Sequence, residues 1–207
     1  MLTRVRRPQP SSGDRQLIQI VDSALADSTQ RSGEWLVCRV GCTQCCIGVF
    51  SINQLDAHRL RQGLADLELL APEHAARVRE RAREAVARLA SEFPGDPATG
   101  LLDEGAIAEE RFADFANEEP CPALDPETGN CELYEARPMT CRTFGPPVRS
   151  EDGLGVCELC FHGASDEEIA SCEMVPDPED LESRLLQELE TAAGVRGETI
   201  VAFALAR

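Results

Sequence analysis

Four cysteines fall within nine positions as Cys38-x3-Cys42-x2-Cys45-Cys46, and six more follow at Cys121, Cys131, Cys141, Cys157, Cys160 and Cys172. Thiolates are soft donors, so a gathering this dense is suited to zinc or iron. Cys42 and Cys45 have the separation at which a tight turn aims two sulfurs at one ion while the backbone N–H groups between them face the sulfur atoms. The side chains of neighbouring Cys45 and Cys46 are expected to diverge. Cys46 is then left to a second ion, or to act as a free or bridging thiolate. Gly41 and Gly48 flank the knot and give its backbone freedom to fold tightly.

Cys121, Cys131 and Cys141 are ten residues apart each time, in a stretch of turn residues that suits sulfurs brought together from successive loops. Arg137 and Arg142 bracket Cys141. Several thiolates around a divalent ion leave net negative charge, which guanidinium N–H groups would offset by donating to sulfur. The plainer alternative pairs both arginines with Glu132 or Glu135 at the surface. Cys157-x2-Cys160, with Cys172 further on and His162 close by, could complete a second site or lend ligands to the first. His58, His74, Asp56 and Asp66 read as ordinary helix positions.

Disulfides are the competing account of so many cysteines. The first seventeen residues carry Arg4, Arg6 and Arg7 followed by Pro8, Pro10, Ser11, Ser12 and Gly13, with no apolar core of the kind a secretion signal needs. No stretch is long and apolar enough to span a bilayer. The expectation is a cytoplasmic address, where thiols stay reduced, in a chain long enough to do without covalent staples. The balance of 37 acidic to 20 basic residues, a formal charge of −17, excludes partners recognised through their phosphates, whether nucleic acid or anionic membrane. At 4% aromatic content, few side chains are left on which bases could stack. The run Arg77, Arg79, Arg81, Arg83 and Arg88 is interleaved with Glu73, Glu80, Glu84 and Glu92, and reads as a solvated helix face laced with ion pairs.

The elements that must position the thiols are helical. Leu17, Ile18, Ile20, Val21 and Leu25 predict a short amphipathic helix. Ile47 to Ile52 reads as a brief extended run. Asn53 is placed as an N-cap, with Gly63 to stop the helix that follows. Pro72 starts a longer helix on which Ala75, Val78, Ala82, Ala85, Val86, Leu89 and Phe93 repeat at three- and four-residue steps. A further helical stretch is expected from Asp103 through Ile107, Phe112 and Phe115. Leu181, Leu185, Leu186, Leu189 and Ala192, closed by Gly194, make the clearest late helix. The tail from Thr199 to Leu205 is ambiguous between helix and strand. The expected fold is mainly α: a small helical domain with irregular cysteine-rich loops converging on a metal site. Its organisation is expected as a mobile arm at 1–16, a cysteine-cluster metal-binding domain at 17–175 and a C-terminal helical segment at 176–207 packed on it.

The knot, followed by Cys-Pro-x-Leu-Asp and then Gly-x-Cys-x-x-Tyr-x-x-Arg-Pro-x-x-Cys-Arg, resembles the YkgJ-type cysteine-cluster proteins, described as carrying a zinc- or iron-chelating domain. The resemblance covers roughly Cys38 to Phe144. It implies metal binding through Cys38, Cys42, Cys45, Cys46, Cys121, Cys131 and Cys141. Some members of that family separate the first two cysteines by two residues rather than the three seen here. Flagellin lysine N-methylases carry a similar cluster, which brings methyl transfer to a protein partner into view. Zinc, iron and a 4Fe–4S cluster all remain open as cofactors, and seven motif cysteines exceed one mononuclear site. Cys38-x3-Cys42-x2-Cys45 also has the spacing by which radical enzymes hold a four-iron cluster open to S-adenosylmethionine. Gln44 stands where those enzymes generally have an aromatic, however, and no series of strand and helix units follows. A third reading is a thiol redox sensor built on Cys45 and Cys46.

Overall fold

Proline at a first helical position and small apolar residues at three- and four-residue steps make a single helix of the arginine-rich run, and the core is assembled on that helix. A computed structural model describes residues 12–39, 41–150 and 153–207. In chain order its elements are α1 (Ser12–Ser32), β1 (Ser51–Ile52), α2 (Gln54–Leu70), α3 (Pro72–Leu89), β2 (Gly95–Asp96), β3 (Leu101–Leu102) and α4 (Ala106–Ala113). They continue with α5 (Met139–Thr143), β4 (Val148–Ser150), β5 (Gly153–Gly155), α6 (Asp166–Ser171), α7 (Leu181–Ala193), β6 (Thr199–Ile200) and α8 (Val201–Ala206). The protein is a mainly helical small domain. Its named strands form three antiparallel pairs, β1 with β6, β2 with β3 and β4 with β5.

Helix α3 begins with Pro72 at its N-terminus and buries Ala75, Val78, Ala82, Ala85 and Leu89, as the periodicity predicts. Helix α2 is capped by Asn53, whose side-chain oxygen accepts the Asp56 N–H at 2.9 Å. The ambiguous tail resolves into both alternatives. Thr199–Ile200 pair with β1, and the chain then turns into α8, whose residues from Val201 to Leu205 are all buried between α2 and α3. A six-residue helix is far too short to stand alone in water, so α8 exists because that slot buries every face of it.

Gly63 does not stop α2, which runs on to Leu70. A Cβ at Gly63 would lie 2.2 Å from the Ala136 Cβ. This glycine is a point of close approach rather than a cap. The expected extended run at 47–52 shrinks to β1, and α4 is shorter than the stretch from Asp103 to Phe115. Helix α1 starts at Ser12, so residues 12–16 of the expected mobile arm are helical, while residues 1–11 of that arm lie outside the described residues. Gly194, at φ +68°, ends α7 as expected.

Two ties join α1 and α2 to the cysteine-bearing loops. Asp56, expected as a solvated helix position, is buried and accepts from Arg59, which also donates to Asp14 on α1 at 2.7 Å. The Asp56 Oδ1 atom further accepts the Met139 N–H at 3.0 Å, at the start of α5. The arginine run departs from its expected intrahelical lattice as well. Arg83 pairs with Glu80 along the helix, but Arg81 reaches Glu132 and the Pro122 carbonyl, and Arg88 reaches Glu119 at 2.5 Å. These arginines fasten α3 to the loops on either side of Cys121 and Cys131.

Candidate metal centre

Short loops cross-linked by backbone hydrogen bonds position the sulfurs. A 3-10 turn at Gln44–Cys46 closes with the Cys46 N–H on the Thr43 carbonyl at 2.8 Å. The Cys46 carbonyl accepts the Cys121 N–H at 2.7 Å, and Ile47 bridges Pro120 as a strand would. Leu124 bridges Cys131 in the same way. Cys141 rides on α5, whose first residue is held by Asp56. No disulfide joins any of the ten cysteines.

The electrostatic couplings among the thiols run within two sets. Cys46, Cys121, Cys131 and Cys141 all feel Cys45, and Cys121 and Cys131 act on each other or on the rest of that group. Cys38, by contrast, feels Cys160, Cys42 and Cys157, and Cys157 feels Cys160 and Cys42. Of the knot, Cys38 and Cys42 lie toward Cys157 and Cys160, and Cys45 and Cys46 toward Cys121, Cys131 and Cys141.

In the five-sulfur set, Cys45 is held down to about 6, chiefly by a hydrogen bond from the Cys46 thiol; burial opposes this, and its own backbone N–H and Arg137 assist. Cys46 is driven upward by the same contact. Burial pushes Cys121 up to about 12 and raises Cys131 and Cys141. Against that burial, the N–H of Ala123 donates to the Cys121 sulfur and the N–H of Leu133 to the Cys131 sulfur.

In the four-sulfur set, Cys38 Sγ lies 4.0 Å from Cys160 Sγ, and burial followed by Cys160 pushes Cys38 up to about 12. Cys157 accepts the N–H of Leu159. The Phe161 N–H donates to the Trp35 carbonyl at 2.9 Å, and Phe161 itself sits in the left-handed region at φ +58°. Gly145, at φ +118°, passes so close that a Cβ there would lie 2.8 Å from the Cys38 sulfur. Gln44 and Glu158, one from each Cys-x2-Cys segment, are hydrogen-bonded at 2.5 Å.

Cys172, grouped by sequence with Cys157 and Cys160, packs with them and Phe161 in a small buried apolar cluster, where its main-chain oxygen accepts from Ser28 at 2.6 Å. His162 is exposed. The two arginines around Cys141 have different surroundings. Arg137 stacks over Tyr134, its guanidinium carbon 3.8 Å from the ring centroid, and lowers both Cys45 and Cys131. Arg142 is almost completely buried, and its N–H groups go to Asp22 at 2.7 Å and to the carbonyls of Arg137 and Glu135. It fastens the turn before α5 to α1, and its hydrogen bonds go to oxygen, not sulfur. Sequence reasoning missed Arg81, Glu132 and Asp56 as positioning residues, with His74, whose Nδ1 lies 3.0 Å from Glu132 Oε1. Only the neighbouring position of Glu132 to Cys131 could have pointed to one of them.

Between the two sets opens a cleft of about 430 Å³ that includes Cys45, Cys141 and Cys157 among its lining residues, with Ile47, Phe144 and Val156 at its walls. Among the described residues, no three His, Cys, Asp or Glu side chains already stand in an arrangement that holds an ion. The fit is one of donor chemistry and neighbourhood: nine sulfurs in two coupled sets, N–H donors aimed at three of them, and one sulfur pair near the tetrahedral edge of roughly 3.8 Å implied by a zinc–sulfur bond of about 2.3 Å.

A family model, CxxCxxCC, described as a putative zinc- or iron-chelating domain, matches residues 37–160, more than half of the chain. The match extends past Phe144 to take in Cys157 and Cys160. No curated protein and no solved structure matches the chain.

Proposed function

Because the chain belongs to the CxxCxxCC family, we propose that it holds zinc or iron on two thiolate sets, Cys38, Cys42, Cys157 and Cys160 in one and Cys45, Cys46, Cys121, Cys131 and Cys141 in the other. One repeated feature carries this reading. The sulfurs of Cys121, Cys131 and Cys157 each accept the N–H of the residue two positions further on. A neutral thiol is a weak acceptor, whereas a thiolate gains a charge-assisted bond, so each N–H favours anionic sulfur, although burial is the larger influence and leaves all three thiols raised. Burial works against that charge at the same residues, and a bound cation removes the conflict. When bound, the ion supplies a cross-link between loops distant in sequence, and its binding energy contributes to folding.

Arg137 fits the role of offsetting negative charge at the five-sulfur set. Elemental analysis and a visible spectrum on untagged protein purified without oxygen test the reading. At least one zinc or iron per chain, retained through gel filtration, is expected. A folded chain with only substoichiometric metal, or with a Cys38–Cys160 disulfide, would overturn it.

An iron–sulfur reading is favoured by one observation: two members of the larger set, Cys45 and Cys141, open onto the cleft, whereas a structural zinc site is closed. In this reading the chain is an iron–sulfur-dependent enzyme or redox component, a protein lysine N-methylase-like activity included. It requires a brown protein that bleaches on reduction; a colourless zinc-loaded sample eliminates it.

A further inference from the structure

A second cavity, of about 460 Å³, lies between α2, the end of α7 and α8, and no cysteine lines it. Its volume is within the range of about 300–1,000 Å³ usual for small-molecule sites. The walls are apolar, from Leu101, Leu189, Val195 and Phe203. Three basic side chains complete it: His58 and Arg61, three residues apart on one face of α2, and Arg207 at the end of α8. No aspartate or glutamate lines it, in a chain with 37 acidic residues against 20 basic ones.

The other polar groups here are already committed. Gln54 donates to the Gly197 carbonyl at 2.9 Å, Thr199 to the Gly100 carbonyl at 2.6 Å and Thr99 to Asp96. Arg207 donates to the Ala98 carbonyl at 3.0 Å. Among the described residues, Arg61 has no hydrogen-bond or ion-pair partner. It is held below the usual guanidinium value, first by loss of water and then by the like charge of Arg207. Two guanidiniums that repel each other at the mouth of an apolar cavity make a complementary setting for an anionic head group above an apolar body.

We infer that this cavity binds an amphiphilic anion, a small molecule with an apolar body and one carboxylate or phosphate head, with Arg61 and Arg207 at the head and Leu189 and Phe203 on the body. The site shares no residue with the thiol sets, and its test is independent of theirs. The metal-loaded full chain is titrated with octanoate, octyl phosphate, octanol and inorganic phosphate by calorimetry. Saturable binding of one octanoate or octyl phosphate per chain is expected, and whichever binds tighter identifies the head group. Octanol and inorganic phosphate should each be weaker by about tenfold or more. Arg61→Gln should weaken the anion by about tenfold with metal content unchanged. Ala193→Phe, at an exposed position of the same lining, should block the apolar part. Octanol binding as tightly as octanoate, inorganic phosphate binding as tightly as octyl phosphate, indifference to both substitutions, or no saturable binding of either anion would overturn the inference.

Discussion

The two thiol sets divide one cysteine knot between them yet rest on different supports. Cys121 and Cys131 of the five-sulfur set pack against the principal apolar core, with Ile52, Leu60, Leu133 and Leu205. Cys157 and Cys160 of the four-sulfur set belong instead to a small separate cluster with Trp35, Leu36, Phe161 and Cys172. Arg81 and Arg88 of α3 reach loops of the larger set, through Glu132, Pro122 and Glu119, and among the described residues no arginine of α3 bonds to a loop of the smaller set. The larger set therefore packs directly on the helical core, whereas the smaller set is joined to the rest of the molecule by polar ties such as the Ser28 bond to the Cys172 carbonyl and the Gln44–Glu158 bond.

The largest expected effect comes from removing ligands. Cys121→Ser with Cys131→Ser should abolish metal at the larger set and cooperative unfolding with it, since a structural zinc contributes on the order of 10–16 kcal/mol in zinc-finger peptides. Cys157→Ser with Cys160→Ser should lose only the metal of the smaller set and keep the helical circular dichroism. Equal loss of fold in both pairs, read by dichroism and elemental analysis, breaks the contrast.

Next in size is Arg142→Met, which leaves Asp22 and two carbonyls without their buried donor. About 1–3 kcal/mol of stability should go, because the loss falls on the two carbonyls while the half-exposed Asp22 is screened by solvent, with metal content intact in denaturant titrations followed by elemental analysis. Loss of metal in proportion would instead place this arginine's action on sulfur. Gly145→Ala should cost about 1–3 kcal/mol through its left-handed backbone and its approach to Cys38. Competition with a chelator should then show weaker metal binding at the smaller set alone.

The smallest effect sharpens the contrast from the scaffold side. Burial, above all, raises Asp56 to about 6, against lowering by Arg59 and the Met139 N–H. Its folded value lies above its unfolded value, so the native state binds the proton more tightly. The stability it contributes is present at low pH and is lost as pH rises from about 4 through 6. Denaturation across that window should show wild type losing up to about 2 kcal/mol relative to Asp56→Asn. Parallel profiles would remove Asp56 from the account of how α5 is held.

Which parts were legible in the sequence follows from the range of the interactions involved. The start and buried face of α3 were readable from Pro72 and its apolar steps, though the helix ends at Leu89 and not at Phe93, and the start of α2 from Asn53, because propensity, periodicity and capping act within a few residues. Gly63 was misread because its purpose is contact with Ala136, remote in sequence. Asp56 looked solvated because nothing local announces that Arg59, Asp14 and the Met139 N–H surround it. The tail was ambiguous because both answers hold in turn. Arg137 and Arg142 were indistinguishable by adjacency to Cys141, yet one lies against Tyr134 near the sulfurs and the other is buried on α1.

Alone, the sequence determined the donor chemistry and the helical class, since thiols at turn spacing and apolar residues at helical spacing are local properties. Tertiary structure decided how the knot is shared. Cys42 and Cys45 are neighbours at metal-ligand spacing, yet the sulfurs nearest the knot come from distant loops, one carrying Cys160, 122 positions along the chain from Cys38. Spacing reports what a segment could bind; which distant loop arrives beside it depends on packing remote in sequence, the helical core for Cys121 and Cys131 and the Trp35 cluster for Cys157 and Cys160.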